Sequence, residues 1–209
     1  MTRLAIFDLD GTLVDSREDL WRAVNHALTT VGLPHRTLEE VVAFTGEGAS
    51  RLVERSIEPH GHLLQPALAA WRAHYAAHLL DHTLLYPGMA SVLASSRAAL
   101  AVHTNKPGAM ARRILEGLGV LGRFSLVLGG DEAPRKPDPS GAVEIMARLG
   151  VPPVETIFVG DSRTDLETAA AAGVGFVAVT WGLRSAGSLA EAGATTFAQA
   201  PADLLRWLA

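Results

Sequence analysis

The chain has 209 residues, of which 48% are hydrophobic and 19% charged, so it can bury the core of one domain, with or without a small insert. Its formal net charge of −4 argues against nucleic acid or an anionic membrane surface as a partner. Because it has no cysteine, disulfides, thiolate metal ligands and cysteine nucleophiles are all excluded.

The first predicted element is a buried strand over residues 4–7, a short apolar run that ends abruptly at Asp8. Four apolar residues before a charge are too few for the apolar region of a signal peptide. No later run approaches the ~20 apolar residues that are needed to cross a bilayer. We therefore expect a cytoplasmic protein without a membrane segment.

The next block, residues 16–80, is predicted to be entirely helical. Apolar residues recur at helical spacing up to Gly32, and Thr37 with Glu40 three residues later has the pattern of a capping box. Further helices are predicted over 49–57 and from 66 to about 81.

Strands and helices alternate after Pro87 and Gly88. Strands are predicted over 100–103, 124–128, 156–159 and 176–180, and helices over 107–118, 140–149 and 165–172, with weak helices near 189 and 204. This alternation is typical of a parallel sheet with helices on both faces. The sequence thus predicts an α/β protein: a Rossmann-like core of residues 1–15 and 81–209, with an all-helical domain, residues 16–80, inserted after the first strand.

Acidic residues follow two of the predicted strands, and parallel strands bring their carboxyl ends to one ligand-binding edge. The candidates are Asp8, Asp10, Asp161 and Asp165. Asp8 and Asp10 are two residues apart, so an extended chain points both carboxylates the same way. Two such charges repel by about 4 kcal/mol at ~4 Å and an effective dielectric of ~20, which favours a bound cation. An oxygen-only ligand set selects Mg²⁺ over zinc.

Basic and polar residues follow the other strands and complete a phosphoryl-binding pattern. Lys136 offers an ammonium, Thr12 and Thr104 offer hydroxyls, and Gly11 and Asn105 offer backbone or amide donors. A carboxylate beside them can attack phosphorus, and a second can protonate the leaving oxygen. A turn or a helix cap would explain the Asp-x-Asp-Gly run alone, but not the residues at the other strand ends.

Four motifs in chain order resemble those of the haloacid dehalogenase superfamily. They are Asp8-Leu9-Asp10-Gly11-Thr12-Leu13-Val14-Asp15-Ser16, Thr104-Asn105-Lys106, Lys136-Pro137 and Gly160-Asp161-Ser162-x-x-Asp165. The resemblance implies that Asp8 is the nucleophile and Asp10 the general acid and base. It further implies that Asp8, Asp161 and the main-chain carbonyl of Asp10 bind Mg²⁺. Asp165 would then hold a metal-bound water or orient Lys136.

The same resemblance implies that Thr104 and Asn105 bind the phosphoryl oxygens and that Lys136 stabilises their negative charge. Within the superfamily, the chain is most similar to the phosphoglycolate phosphatase-like group. The further motifs that carry this similarity are Tyr86-Pro87-Gly88, Gly129-Gly130-Asp131 and Lys136-Pro137-Asp138-Pro139. The implied activity is hydrolysis of a small phosphorylated metabolite, with phosphoglycolate as the first candidate.

The helical block would be the mobile cap of such an enzyme. Gly46 and Gly48, which precede a predicted helix, could present backbone donors to an anion, although a simple turn between helices would have the same sequence. Glu47 between them is an awkward charge beside an anionic substrate. Arg51 on the following helix could bind a substrate carboxylate, and a solvated helix face is the alternative.

Two other functions fit parts of this pattern. A sugar phosphomutase of the same superfamily would return the phosphoryl group to a second hydroxyl. A receiver-like phospho-acceptor module also uses carboxylates, a threonine and a lysine at strand ends, but it needs no helical insert. The sequence does not distinguish a monomer from a homodimer.

A few residues carry weaker signals. His74, His78 and His82 are spaced four apart, as in a helical metal site, but a solvated helix face is the favoured interpretation. His103 is predicted to be a buried, hydrogen-bonded neighbour of the site. Lys106, one of only two lysines among 18 basic residues, either approaches the phosphate or caps a helix.

Overall fold

The computed structural model describes residues 2–209 and contains, within that range, eight strands and ten α-helices. The strands are β1 (Leu4–Phe7), β2 (Val14–Asp15), β3 (Leu84–Leu85), β4 (Ala99–His103), β5 (Leu126–Leu128), β6 (Thr156–Gly160), β7 (Gly175–Val179) and β8 (Phe197–Ala198). The helices are α1 (Arg17–Thr30), α2 (Leu38–Phe44), α3 (Ala49–Ile57), α4 (Leu64–His78), α5 (Met89–Ser95), α6 (Gly108–Gly117), α7 (Ser140–Leu149), α8 (Arg163–Ala172), α9 (Ala186–Glu191) and α10 (Leu205–Leu208). None of the helices in residues 2–209 combines the length and apolar character that a membrane crossing requires.

Six of the strands form one parallel sheet in the order β5-β4-β1-β6-β7-β8. Every residue of β1 and β6 is buried. Because neighbouring side chains on a strand point to opposite faces, both faces of the central strands are covered. On one face, α7 and α8 pack against the sheet through Ile145, Met146 and Ala169, which share a single apolar cluster with Ile6 and Phe158. The predicted α/β class with a parallel sheet is confirmed.

The chain divides into two compact units, one of Met1–Asp15 with Leu85–Ala209 and one of Ser16–Leu84. The second unit contains α1 to α4 and is the predicted helical insert, although the two-residue strand β2 lies between it and β1. Strand β2 pairs with β3. Within the insert, the Thr37 hydroxyl accepts from the Glu40 amide and the Glu40 carboxylate accepts from the Thr37 amide, which is the predicted capping box at the start of α2.

The elements differ from the prediction where the sequence signal is short. Helix α4 begins two residues before Pro66, since a proline in the first turn forfeits no helical hydrogen bond. It ends at His78, so His82 lies beyond it. Helix α5 was not predicted. It has only seven residues. It begins after Gly88, whose φ of 88° lies in the left-handed region, and the Pro87-Gly88 pair before it is typical of a turn.

Candidate active site

The predicted site residues lie at one edge of the parallel sheet. Asp8 directly follows β1, Thr104 follows β4 and Asp161 follows β6. The sheet order puts β1 between β4 and β6, so these three residues come from adjacent strands. The order in which the chain adds strands reverses between β1 and β6, and open α/β sheets bind ligands at such a reversal.

Three carboxylates converge at this edge. Oxygens of Asp8, Asp161 and Asp165 lie within 4.8 Å of one another, and all three residues are buried. Burial, together with the negative charge of Asp165, raises the pKa of Asp8 to about 8 and that of Asp161 to about 7. A divalent cation would relieve both the burial and the repulsion of these charges, so the oxygen-only set fits Mg²⁺.

Lys136 is the cation that the chain itself supplies to this cluster. Its Nζ lies 2.7 Å from Oδ1 of Asp8 and 2.6 Å from Oδ1 of Asp165, and the side chain is almost fully buried. Burial disfavours the charged ammonium, but the two carboxylates outweigh that effect and raise the pKa of Lys136 to about 12. The lysine therefore stays charged beside Asp8 at neutral pH.

The Asp165 carboxylate is fixed from two sides. Its Oδ2 accepts from the hydroxyl of Ser162 at 2.6 Å and from the Ser162 amide at 3.1 Å, which caps the start of α8. Its Oδ1 accepts from Lys136. A Cβ on Gly160 would lie 2.4 Å from the Asp165 Cβ, so only glycine allows this close approach. Asp165 is thus positioned to orient the lysine, one of the two roles that the family resemblance implies.

The carboxylate of Asp10 pairs with a lysine and is not among the three converging acids of residues 2–209. Its Oδ1 lies 3.0 Å from the Nζ of Lys106, and both side chains are mostly buried. The expectation of one cluster of four carboxylates therefore needs correction, since the group of converging oxygens in residues 2–209 comprises Asp8, Asp161 and Asp165. Lys106 neither caps a helix nor faces solvent, and the sequence signals for it were its rarity and its place in the Thr104-Asn105-Lys106 motif.

The side chain of Asn105, predicted to bind phosphate, makes two hydrogen bonds to the main chain of Lys136, a pair that we call the Asn105 clasp. Its Nδ2 donates to the Lys136 carbonyl at 3.1 Å, and its Oδ1 accepts from the Lys136 amide at 2.8 Å. These two bonds occupy both ends of the amide. The side chain of Asn105 thereby fixes the loop that carries the lysine.

Two further predicted phosphate ligands have partners within the chain. The Gly11 amide donates to the Val14 carbonyl at 2.9 Å, and the Thr104 hydroxyl accepts from the Lys106 amide at 3.2 Å. Gly11 has a φ of 84°, and a Cβ there would lie 2.3 Å from Oδ2 of Asp161. Its lack of a side chain lets the first loop pass next to the acid cluster.

The loop after β7 contributes contacts that the sequence did not indicate. The Leu183 amide donates to Oδ2 of Asp161 at 2.6 Å. A Cβ on Gly182 would lie 2.4 Å from both the Asp161 Cβ and the Gly11 carbonyl oxygen. The Trp181 indole donates to the Thr12 carbonyl at 3.1 Å, so Trp181 supports the first loop. A Trp-Gly pair directly after a strand was the only available signal.

His103 is buried at the end of β4, as predicted, but it is not hydrogen-bonded. Neither ring nitrogen has a partner in the described part of the chain. The ring packs against Phe158 and against Gly141, where a Cβ would lie 2.3 Å from Nε2. Burial, with the nearby charge of Lys136, lowers the pKa of His103 to about 3. The ring is therefore neutral over the ordinary pH range.

An ion pair holds the loop of Gly46, Glu47 and Gly48, the predicted substrate-selecting loop of the helical unit. Arg55 contacts Oε1 of Glu47 at 2.5 Å, which offsets the charge that Glu47 introduces between Gly46 and Gly48. Both glycines have positive φ, 117° and 88°, and Gly48 precedes α3. Arg51 pairs at the surface with Glu54 at 2.6 Å.

Five histidines of the helical unit line a surface cavity of about 450 Å³: His26, His35, His74, His78 and His82. The ring of His74 stacks between those of His26 and His78, with centroid distances of 4.3 and 4.4 Å. His82 instead binds Asp19, with 2.9 Å between Nδ1 and Oδ1. Because α4 ends at His78, His82 lies beyond the helix, but all three histidines line the same surface cavity.

Comparison with known proteins identifies the family of this chain. Residues 5–179 match the model of the haloacid dehalogenase-like hydrolases. The chain is 39% identical to a phosphoglycolate phosphatase of Rhodospirillum rubrum, over all of this chain and 91% of that protein. It is also 39% identical to a phosphoglycolate phosphatase of Pseudomonas putida, over 87% of this chain and 71% of that one.

The fold is shared with a crystal structure from Haemophilus somnus described as a predicted phosphoglycolate phosphatase. The two superpose with a TM-score of 0.92 over 98% of this chain and 97% of the other, at 31% identity.

Proposed function

This chain belongs to the haloacid dehalogenase-like hydrolases, and we propose that it hydrolyses a small phosphorylated metabolite through an aspartyl-phosphate formed on Asp8. It is a phosphatase of the phosphoglycolate phosphatase-like group. The family match leaves the receiver-like alternative without support. The observation that carries the mechanism is the convergence of Asp8, Asp161 and Asp165 on one buried point beside Lys136.

Asp8, Asp161 and the main-chain carbonyl of Asp10 would hold Mg²⁺, which supplies positive charge to the phosphoryl oxygens and to the acids. Lys136 contributes the second positive charge, fixed by Asp165 and by the clasp of Asn105. Its ammonium stabilises the negative charge that builds up on the transferring group.

In the first half-reaction, an oxygen of Asp8 bonds to phosphorus as the bond from phosphorus to the ester oxygen breaks. The leaving oxygen keeps the electron pair and takes a proton from Asp10. In the second, water bonds to phosphorus and gives its proton to Asp10, and the carboxylate of Asp8 is released with inorganic phosphate. Asp10 suits this double use because its carboxylate lies outside the converging acids and stays partly exposed.

We propose phosphoglycolate as the first candidate substrate, because the relatives at 39% identity are named phosphoglycolate phosphatase. We further propose that residues 16–80 act as the cap, and that the loop of Gly46, Glu47 and Gly48, with Arg51, selects the substrate. The Glu47–Arg55 ion pair supports this role because it keeps the loop from repelling an anion.

A phosphate-release screen tests this assignment. Phosphoglycolate, sugar phosphates and nucleotides are compared with Mg²⁺ and with EDTA, and the products are checked for isomerised sugar phosphate. We expect release of phosphate that EDTA abolishes and Mg²⁺ restores, with phosphoglycolate preferred. An isomerised product with little free phosphate would identify a phosphomutase instead. Activity that persists in EDTA would contradict the metal assignment.

A further inference from the structure

The two lysines of the chain are both almost fully buried at the site, although arginine supplies every other basic residue. A buried ammonium is costly unless it is paired, so each lysine needs a charged partner at the site. Lys136 contacts Asp8 and Asp165, and Lys106 contacts Asp10. The proposed nucleophile Asp8 and the proposed acid and base Asp10 thus each lie beside a different lysine ammonium.

The main chain of Lys106 is fixed independently of its side chain. Its amide donates to the Thr104 hydroxyl at 3.2 Å, and its carbonyl accepts from the Gly130 amide at 3.0 Å. A Cβ on Gly129 would lie 2.9 Å from that carbonyl oxygen, so the strand-end loops pack closely here. The lysine stem therefore emerges from a rigid point, and its Nζ ends 3.0 Å from Oδ1 of Asp10.

From this geometry we infer that Lys106 is a positioning residue that holds the carboxylate of Asp10 in place for proton transfer to the leaving oxygen. The inference rests on the proposed function, because it assigns Lys106 a role through Asp10. A proton donor that is displaced by about 1 Å can lose on the order of 100-fold in rate. Asp10 also takes a proton from water in the second half-reaction, which is the same for every ester, so only the loss in the first half-reaction depends on how much the leaving group needs a proton.

Two esters with different leaving groups separate this role from phosphate binding. The leaving oxygen of 2-phosphoglycolate is an alkoxide and needs a proton, whereas that of p-nitrophenyl phosphate departs readily without one. We expect Lys106→Met to lower kcat/KM, which reports phosphoryl transfer to Asp8 and not the later hydrolysis, by about 10- to 100-fold for phosphoglycolate and by less than about threefold for the nitrophenyl ester.

The matched variant is Asp10→Asn, which should show the same selectivity for the alkyl ester. The double variant should then lose little beyond Asp10→Asn, because Lys106 acts through Asp10. Circular dichroism and the midpoint of thermal unfolding verify the fold of each variant. If Lys106→Met does not fold, Lys106→Arg, which keeps the charge and the donors, should retain more of the phosphoglycolate rate than Asp10→Asn does.

Three results would overturn the inference. Equal losses for both esters, or a raised KM for both, would make Lys106 a ligand of the phosphoryl group. Additive losses in the double variant would separate Lys106 from Asp10. If Asp10→Asn itself shows no selectivity between the esters, the proposed acid is wrong and the failure lies with the proposed function.

Discussion

Asn105 offers a sharp test of how the site is built, because its side chain makes two buried hydrogen bonds to the main chain of Lys136. In Asn105→Ala, the amide and the carbonyl of Lys136 both lose their partner. An unpaired buried polar group costs about 1–3 kcal/mol, so we expect the free energy of unfolding to fall by about 2–4 kcal/mol. The loop that carries Lys136 would also shift, which should lower kcat by about 10- to 100-fold with little change in KM.

The chain contains a matched control for this variant. In the helical unit, Asn25 clasps the main chain of Arg36 in the same way, donating to its carbonyl at 3.0 Å and accepting from its amide at 2.8 Å. We expect Asn25→Ala to lose stability to a similar or smaller extent while kcat changes less than about twofold. Urea unfolding measures the stability and a phosphate-release assay measures kcat and KM. A raised KM in Asn105→Ala with unchanged stability would refute the clasp and restore the predicted role of Asn105 as a phosphate ligand.

Three further predictions concern the charges and the packing of the site. The pKa values of Asp8 and Asp161 are raised to about 8 and 7, against 3.8 in the unfolded chain, so the metal-free protein loses stability as pH rises from about 4 to 8. Mg²⁺ should therefore raise the unfolding temperature more at about pH 8 than at about pH 5, and equal gains would contradict this. The pKa of His103 is about 3, against 6.5 in the unfolded chain, so its contribution to stability is complete above pH 6.5 and is lost as the pH falls below that value. Between pH 6.5 and about 4.5, the free energy of unfolding in urea should therefore fall by about 2–3 kcal/mol more in the wild type than in His103→Leu. An equal pH dependence in the two proteins would contradict this assignment. Gly182→Ala places a Cβ against Asp161 and should weaken Mg²⁺ binding, measured by calorimetry, by about tenfold or more. An unchanged affinity would contradict this, because it would show that the loop moves to accommodate the methyl group.

Much of the fold follows from local sequence patterns. Strand β1 and helices α3 and α7 have the predicted ends because apolar periodicity and glycine or proline breaks coincide there. Helix α5 and the two-residue strands have no such signal, because a single pleat or two helical turns contain too few residues to show a period. These short elements depend on the tertiary packing around them.

The residue types at the site could be predicted, but their pairing could not. Asp8, Asp161 and Asp165 follow from strand ends and motif spacing. The turn of Asp10 towards Lys106, the clasp of Asn105 and the amide of Leu183 all depend on how separate loops meet in space. Such contacts span up to 169 positions in the chain, as between Thr12 and Trp181, and no local pattern encodes them.

The central claim is that Asp8 takes the phosphoryl group from the ester. Rapid quenching of the enzyme during turnover, followed by borohydride reduction, converts an aspartyl-phosphate into homoserine, which mass spectrometry locates in the chain. We expect homoserine at position 8 in the wild type, and neither homoserine nor turnover in a folded Asp8→Asn variant. Turnover that persists in Asp8→Asn, or homoserine at another aspartate, would contradict the account.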